Sequence, residues 1–329
     1  MSSDFAVNQC SPTLTPGRII QGKWHGRAYR IVRQIGSGAN GVVHLAYRGE
    51  EQVAIKVGTD ATALAVEYDR LQMLQDSSQG RILAPALFEL DDLIVGNELR
   101  PVLVMEFVDG RAVDEFIKLH GREWVPLVIL RILNLLIILH ERGFAFCDLK
   151  PSNILLDERT AQPRLVDFGG VTKISNAVKE FTELYDRAWW GRGSRKADIR
   201  YDLFACAMLG LELLAPLTKS ELDRLTLRRP QERSAWLDEK MSRLGLDDEL
   251  VSLFVDIIKH TELDISGFRQ VLLRYIGRHE GMSDAQPQPS VHTVRTRVRR
   301  RFDMIDWMLL ISVLGFAATL VVVLWTNAI

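Results

Sequence analysis

Cysteine is scarce in this chain: three residues in 329, at positions 10, 147 and 206. Three thiols so far apart cannot build a disulfide framework or a structural zinc site. A reducing compartment is the simple expectation. Residues 1–20 lack an apolar stretch behind positive charge, which excludes a secretory signal peptide. They are rich in Ser, Thr and Pro and read as a flexible lead-in. Internal repeats are absent, and no nucleic-acid partner is expected. The overall charge imbalance is small, with 41 basic against 42 acidic side chains and a formal net charge of −1. It hides a local excess, because Arg295, Arg297, Arg299, Arg300 and Arg301 crowd together near the C-terminus. A hydrophobic content of 47% and a charged content of 25% are ordinary, so most of the chain is expected to fold.

Long uncharged runs are also few. The clearest spans residues 307–325, with tryptophan at each end. Nineteen residues at about 1.5 Å each give roughly 28 Å, close to the thickness of a bilayer core. The arginines just before it place the N-terminal side in the cytoplasm by the positive-inside rule. A single-pass membrane helix over residues 304–326 is expected, touching lipid through 307–325 and leaving a short tail at 327–329. Self-association within the membrane is open to such a helix. A second apolar run, residues 125–139, is interrupted by Arg131 and Asn134. It is too short to span and reads as a buried helix.

Residues 24–281 read as one folded unit after a flexible segment at 1–23. A polar, proline-containing and then basic linker follows at 282–303. Alternating residues predict strands at 29–35, 42–47 and 52–57, with a further buried strand at 102–105. Helical spacing predicts a helix at 61–74. Beyond Asp109-Gly110 the pattern is mostly helical, at 114–120, 125–142, 201–214, 247–260 and 265–277. A strand-rich small lobe followed by a helical large lobe is implied, in a bilobal α+β fold.

The chemistry-bearing residues lie in order along this unit. Gly36-Ser37-Gly38-Ala39-Asn40-Gly41 stands between two strands. Glycines let backbone approach phosphates closely, although a plain hairpin turn fits the string as well. The loop leads into a strand rather than a helix, against a dinucleotide site. Val53-Ala54-Ile55-Lys56 comes next, and its lysine can bind phosphate as a point charge if a carboxylate orients it. Glu67 is the candidate, with a solvated strand lysine as the plainer alternative. The run Phe146-Cys147-Asp148-Leu149-Lys150-Pro151-Ser152-Asn153 places an acid, a lysine and an amide at short offsets. That layout suits positioning a hydroxyl and a metal for phosphoryl transfer. Asp167-Phe168-Gly169 supplies a second acid for metal.

Together these motifs resemble the protein kinase family, of the Ser/Thr type, over about residues 24–281. The resemblance implies ATP and Mg²⁺ as cofactors, with Mn²⁺ as a substitute, and protein Ser/Thr hydroxyls as acceptors. It implies that Gly36 to Gly41 cover the phosphates and that Lys56 pairs with Glu67. Met105 then guards the adenine pocket, and Glu106-Phe107-Val108 is the hinge. Val43, Ala54 and Leu155 sandwich the base, though ordinary core packing describes these three equally. Asp148 acts as catalytic base, Lys150 neutralises the transferred group, and Asn153 and Asp167 hold metal.

Two departures from the family pattern stand out. Phe146-Cys147 replaces the usual His-Arg. The aromatic suits packing on Phe168, while the lost arginine normally pairs with a phosphate on the activation loop. Weaker dependence on such a phosphate is expected. After Thr182-Glu183-Leu184-Tyr185, the string Asp186-Arg187-Ala188-Trp189-Trp190 replaces the usual Ala-Pro-Glu, whose glutamate pairs with a late arginine. Packing by the tryptophans, or a docking surface, takes its place. Asp202 matches the aspartate that bonds the catalytic-loop backbone. Two other readings remain: a pseudokinase scaffold that binds nucleotide without turnover, and a small-molecule phosphotransferase of similar fold. Lys150 and the Asp-x-Lys-Pro string speak against the latter.

Overall fold

The computed structural model describes residues 14–38, 40–75, 83–95, 98–243, 249–259 and 264–278. The basic linker and the expected membrane helix at 304–326 lie outside the described residues, as does Ala39 of the glycine loop. The described part is the bilobal fold expected, a β-sheet lobe followed by a helical lobe.

The small lobe is a six-stranded antiparallel sheet in the order β1-β2-β3-β4-β6-β5. Its strands are β1 (Ile19–Gln21), β2 (Ala28–Gly38), β3 (Gly41–Arg48), β4 (Glu51–Gly58), β5 (Leu87–Val95) and β6 (Glu98–Glu106). Helix α1 (Ala61–Gln75) packs on it through Leu64, Leu71 and Leu74. Glu67 falls in that same buried stripe, because three residues from Leu64 is nearly one turn. The helix therefore carries a carboxylate into the interior by its spacing alone.

The folded lobe starts earlier than residue 24: residues 14–23, assigned from sequence to a flexible segment, belong to it, while 1–13 lie outside the described residues. Leu14 is 2% exposed, and its N–H donates to His44 Nε2 at 3.0 Å. Strand β1 pairs with β2, Gly22 bridges Leu93 of β5, and Lys23 N–H donates to the Asp92 carbonyl at 2.8 Å. The two edges of the sheet thus meet, leaving no open edge at that end. One three-residue strand gives too short a period to read from sequence.

The large lobe is built on α3 (Val125–Glu141) and α4 (Ile199–Leu214). Arg122–Glu141 is the one described run long and apolar enough to cross a membrane by length and composition. Here it is a core helix, with Val128, Ile129, Ile132, Leu133 and Leu136 fully buried. Helix α4 is buried nearly throughout. Gly210 lets α7 (Glu249–Lys259) approach, since a Cβ there would stand 2.5 Å from the Phe254 ring. Helices α2 (Val113–His120), α5 (Lys219–Thr226), α6 (Pro230–Arg243) and α8 (Ile265–Arg278) complete the lobe, with short strands β7 (Arg111–Ala112), β8 (Phe144–Ala145), β9 (Ile154–Leu156), β10 (Pro163–Leu165) and β11 (Thr172–Lys173) in a three-stranded sheet β10-β9-β7 and a pair β11-β8. A capping box at Thr218 and Glu221 starts α5.

Candidate active site

A cleft of about 510 Å³ opens between the lobes. It is lined by Gly36, Ser37, Gly38, Asn40, Gly41, Val43, Ala54, Lys56, Glu67, Met105, Glu106, Val108, Asp148, Lys150, Asn153, Leu155 and Asp167. Every described residue assigned to the site from sequence is among them. The cleft also takes in residues that sequence reasoning missed, notably Ile35, Val166, Lys179, Glu180 and Phe181.

The glycine loop is the β2–β3 hairpin, with Gly38 paired to Gly41. Gly41 has φ of +145°, and a Cβ there would lie 2.2 Å from the Val57 carbonyl, so a side chain is excluded. A Cβ at Gly38 would meet nothing within 4 Å. The space above Gly38 is therefore open for a ligand, as a phosphate cradle requires.

Lys56 is the electrostatic centre. Its Nζ donates to Glu67 Oε2 at 2.6 Å and to Asp167 Oδ1 at 2.8 Å. Burial presses the ammonium towards neutrality, but the two carboxylates outweigh it and raise its pKa. Burial likewise raises Glu67, and Lys56 offsets this only in part. For Asp167 the balance is reversed: burial would raise it, and Lys56, with Lys150 behind it, holds it below the usual carboxylate range. Asp167 sits at φ of 62°, a left-handed geometry that turns its carboxylate towards Lys56.

Asp148 is 8% exposed and is gripped from three sides. Thr182 Oγ1 donates to its Oδ1 at 2.7 Å. Lys150 Nζ and Asn153 Nδ2 donate to its Oδ2 at 2.6 and 3.2 Å. Asn153 Nδ2 also donates to the Asp148 carbonyl at 2.9 Å. This fixes the amide nitrogen, so that its oxygen, which takes a long 3.5 Å bond from Ser152 Oγ, is the end available to a cation. Asn153 and Asp167 offer hard oxygen donors in one cleft, which fits Mg²⁺ or Mn²⁺.

At the hinge, Met105 is 7% exposed at the back of the cleft. The Glu106 side chain faces away from any base. It accepts from Arg164 Nη2 at 2.8 Å and from Ala86 N–H at 2.9 Å, so only its backbone is available to a ligand.

The catalytic loop is hung from α4. Asp202 is fully buried and accepts from Phe146 N–H at 2.7 Å and Cys147 N–H at 2.9 Å. His140 Nε2 lies 2.8 Å from the same carboxylate. Cys147 adopts φ of 66°, a strain for any non-glycine residue that these bonds support. Burial, aided by Asp202, pushes the Cys147 thiol up, so it stays protonated and inert. Phe146 packs edge-on to Phe168 with ring centroids 5.6 Å apart.

The missing Ala-Pro-Glu is resolved by packing. Trp189 and Trp190 are 5% and 0% exposed, so they form core and not a docking surface. Arg233 of α6 lies over the Trp189 ring at 4.2 Å and donates from Nε to the Trp189 carbonyl at 2.7 Å. A cation–π contact and a carbonyl hold an arginine that has no carboxylate partner among the described contacts. Arg233→Ala is expected to destabilise by about 2–4 kcal/mol, the range for stranding buried polar groups. Arg233→Lys recovers little, since an ammonium cannot stack as a planar fork. Urea unfolding of both variants measures this.

A fold of two lobes around a cleft holding Lys56, Glu67, Asp148, Asn153 and Asp167 defines a nucleotide-dependent phosphotransferase. The sequence model of the protein kinase domain matches residues 29–232, and the chain belongs to the protein kinase family. It is 36% identical over 231 residues to serine/threonine-protein kinase YabT of Bacillus subtilis (strain 168), covering 70% of this chain and 67% of that protein. It is 27% identical to the probable serine/threonine-protein kinase PknB of Lactococcus lactis, covering 82% of this chain but 43% of that protein. The structure of vaccinia related kinase 3 superimposes with a TM-score of 0.62 at 15% identity, covering 81% of this chain and 92% of that one. That last likeness speaks to the fold. The relatives make this chain a protein serine/threonine kinase.

Proposed function

We propose that the chain transfers the γ-phosphate of ATP to serine or threonine hydroxyls of proteins, with Asp148 as base, from a cytoplasmic position at a membrane. The observation that carries the catalytic part is the pairing of Lys56 with both Glu67 and Asp167 beside the Asp148-Lys150-Asn153 cluster in one cleft. Bound Mg-ATP would supply the phosphoryl group and the charge that bridges its oxygens. Lys56 would hold the phosphates, and Asn153 and Asp167 would hold the metal. Asp148 would accept the acceptor's proton, and Lys150 would steady the transferred group. Contacts from Thr182 and Lys150 occupy the Asp148 carboxylate, and an incoming hydroxyl would share it.

The membrane part of the reading is supported by the uncharged run at 307–325 with its flanking tryptophans and arginines. The need for ATP, together with the arginines on the N-terminal side of the run, supports a cytoplasmic position for the catalytic lobes, and lateral self-association of the helix is open to them. Externally added protease should leave the lobes intact in whole cells and digest them after lysis.

The catalytic test uses the full chain with labelled ATP, Mg²⁺ and dephosphorylated casein, beside Asp148→Asn. The variant is expected to lose about 10²–10⁴-fold in kcat while nucleotide binding is retained. Equal transfer by Asp148→Asn would remove Asp148 from the base role. Nucleotide binding by the wild type with no label on any protein would turn the reading to a scaffold.

A further inference from the structure

The cation missing from position 147 has a structural replacement. Helix α1 reaches the Asp167-Phe168-Gly169 turn with two side chains three residues apart, hence on one face. Glu67 Oε1 accepts from Phe168 N–H at 3.2 Å. Arg70 Nη1 donates to the Phe168 carbonyl at 3.4 Å and, more closely, to the Gly169 carbonyl. One helix therefore takes both the donor and the acceptors of this turn.

Glu180 of the activation segment comes to the same place from the other side. A Cβ on Gly169 would stand 2.9 Å from Glu180 Oε2 and 3.4 Å from Asn40 Nδ2. Asn40 Nδ2 donates to Glu180 Oε2 at 2.7 Å, linking residues 140 apart in sequence. Glycine loop, activation segment and metal-binding turn thus converge on Gly169. The charged and titratable groups facing Arg70 are Glu180, Glu67 and Cys147. Burial weakens the guanidinium's hold on its proton, and the two carboxylates oppose this.

We infer that Arg70 and Glu180 are positioning residues for phosphoryl transfer: a built-in cation and anion that hold the Asp167 turn in place without a phosphate on the activation loop. Ordinarily an arginine at position 147 would face a phosphate that must be added. Here Cys147 is buried and uncharged, the cation comes from α1, and the anion is a permanent carboxylate. A carboxylate needs no modifying enzyme, so the arrangement is always on. Arg70 acts through its bonds to the turn that carries Asp167, and Glu180 meets that turn at Gly169 from the cleft side.

The experiment is steady-state kinetics of the full chain with Mg-ATP and casein, before and after treatment with a protein phosphatase that is then removed. Wild-type transfer in the same assay reads the kinase activity on which this inference rests. Wild-type kcat is expected to change less than about twofold on dephosphorylation. Arg70→Gln should lower kcat about tenfold or more, with nucleotide Kd and melting temperature close to wild type. Arg70→Lys should recover part of kcat, since the charge is kept and one carbonyl stays in reach. Glu180→Gln should lower kcat about threefold or more.

Three results would overturn the inference. One is a large loss of wild-type activity on dephosphorylation. Another is wild-type kcat in Arg70→Gln, or a fall in kcat that tracks lost melting temperature in Gln and Lys variants alike, which marks a structural role. The third is a rise in kcat for Glu180→Gln, which makes that carboxylate a plug of the cleft. Should Arg70→Gln not fold, Arg70→Lys and Glu180→Gln decide the matter with the phosphatase arm.

Discussion

Lys56→Met is expected to cut phosphoryl transfer by about 10²–10³-fold or more, as loss of a preorganised charge at the reacting phosphate does. It should also destabilise the small lobe. The Lys56 and Glu67 side chains are 5% and 3% exposed, so their pair is shielded from water. Removing the cation strands the Glu67 carboxylate beside Asp167, and breaking a buried pair from one side costs about 3–5 kcal/mol. Glu67 has an escape, which is to take up a proton. Burial already raises it against the pull of Lys56, and without the ammonium only the Phe168 N–H bond opposes that rise. The folded variant then holds a proton that its unfolded chain releases. Stability therefore increases as pH falls and is lost as pH rises through the folded value. Chemical unfolding at about pH 5 and about pH 8 should show the variant closer to wild type at the lower pH. Adding Glu67→Gln should restore stability and flatten this pH dependence without restoring transfer. A Lys56→Met variant as stable as wild type at both pH values would mean the pair contributes nothing net.

The residues that carry chemistry were the most legible part of the sequence. Each sits at a fixed offset within a short segment, so spacing alone places Asp148, Lys150 and Asn153 on one loop and Lys56 on a strand. Glu67 was readable because it shares the period of Leu64, Leu71 and Leu74. Strand β5 was not, because its acids mask it: Glu89 and Asp91 break the apolar alternation. Both are nevertheless buried, at 4% and 3% exposure. Their partners come from the distant first turn, where Arg27 Nη1 lies 2.5 Å from Glu89 and Trp24 and His25 N–H donate to Asp91 at 2.9 and 3.0 Å. A carboxylate looks solvated in sequence until its donors are known.

The same limit explains the rest of what sequence reasoning left out. Helix α6 reads as polar, yet Leu237 and Met241 anchor it and Arg233 is buried by a tryptophan forty-four residues away. Lys179, Glu180 and Phe181 line the cleft only because the activation segment folds back over it. No local pattern marks them, since their place depends on Asn40 and Gly169. The Glu106 assignment shows the converse. Its position at the hinge was legible, but its side-chain bond to Arg164, fifty-eight residues on, was not.

Asp202→Ala is expected to be the most destabilising single change in the large lobe, at about 3–5 kcal/mol. The carboxylate is fully buried and satisfies the Phe146 and Cys147 N–H groups and His140 at once. Alanine leaves two backbone donors and an imidazole in the core without an acceptor, each costing about 1–3 kcal/mol. It also frees Cys147 from the bonds that offset its positive φ. The neighbouring Asp148 inherits that freedom, because it follows Cys147 directly and its N–H donates to the Phe146 carbonyl at 2.9 Å. Relaxation at position 147 therefore rotates the proposed base away from Thr182 and Lys150. Two separable effects follow: a lower urea midpoint, and a fall in kcat with the KM for ATP little changed, since the lobe that holds the phosphates is untouched. Asp202→Asn keeps one acceptor and should lie between the two. Cys147→Gly in the Asp202→Ala background isolates the strain, because glycine adopts positive φ freely. If Cys147 relaxes once Asp202 is gone, glycine has less strain left to relieve there, so that glycine costs more in the double variant than in the wild type. An equal cost in both backgrounds would mean that Asp202 acts through hydrogen bonding alone.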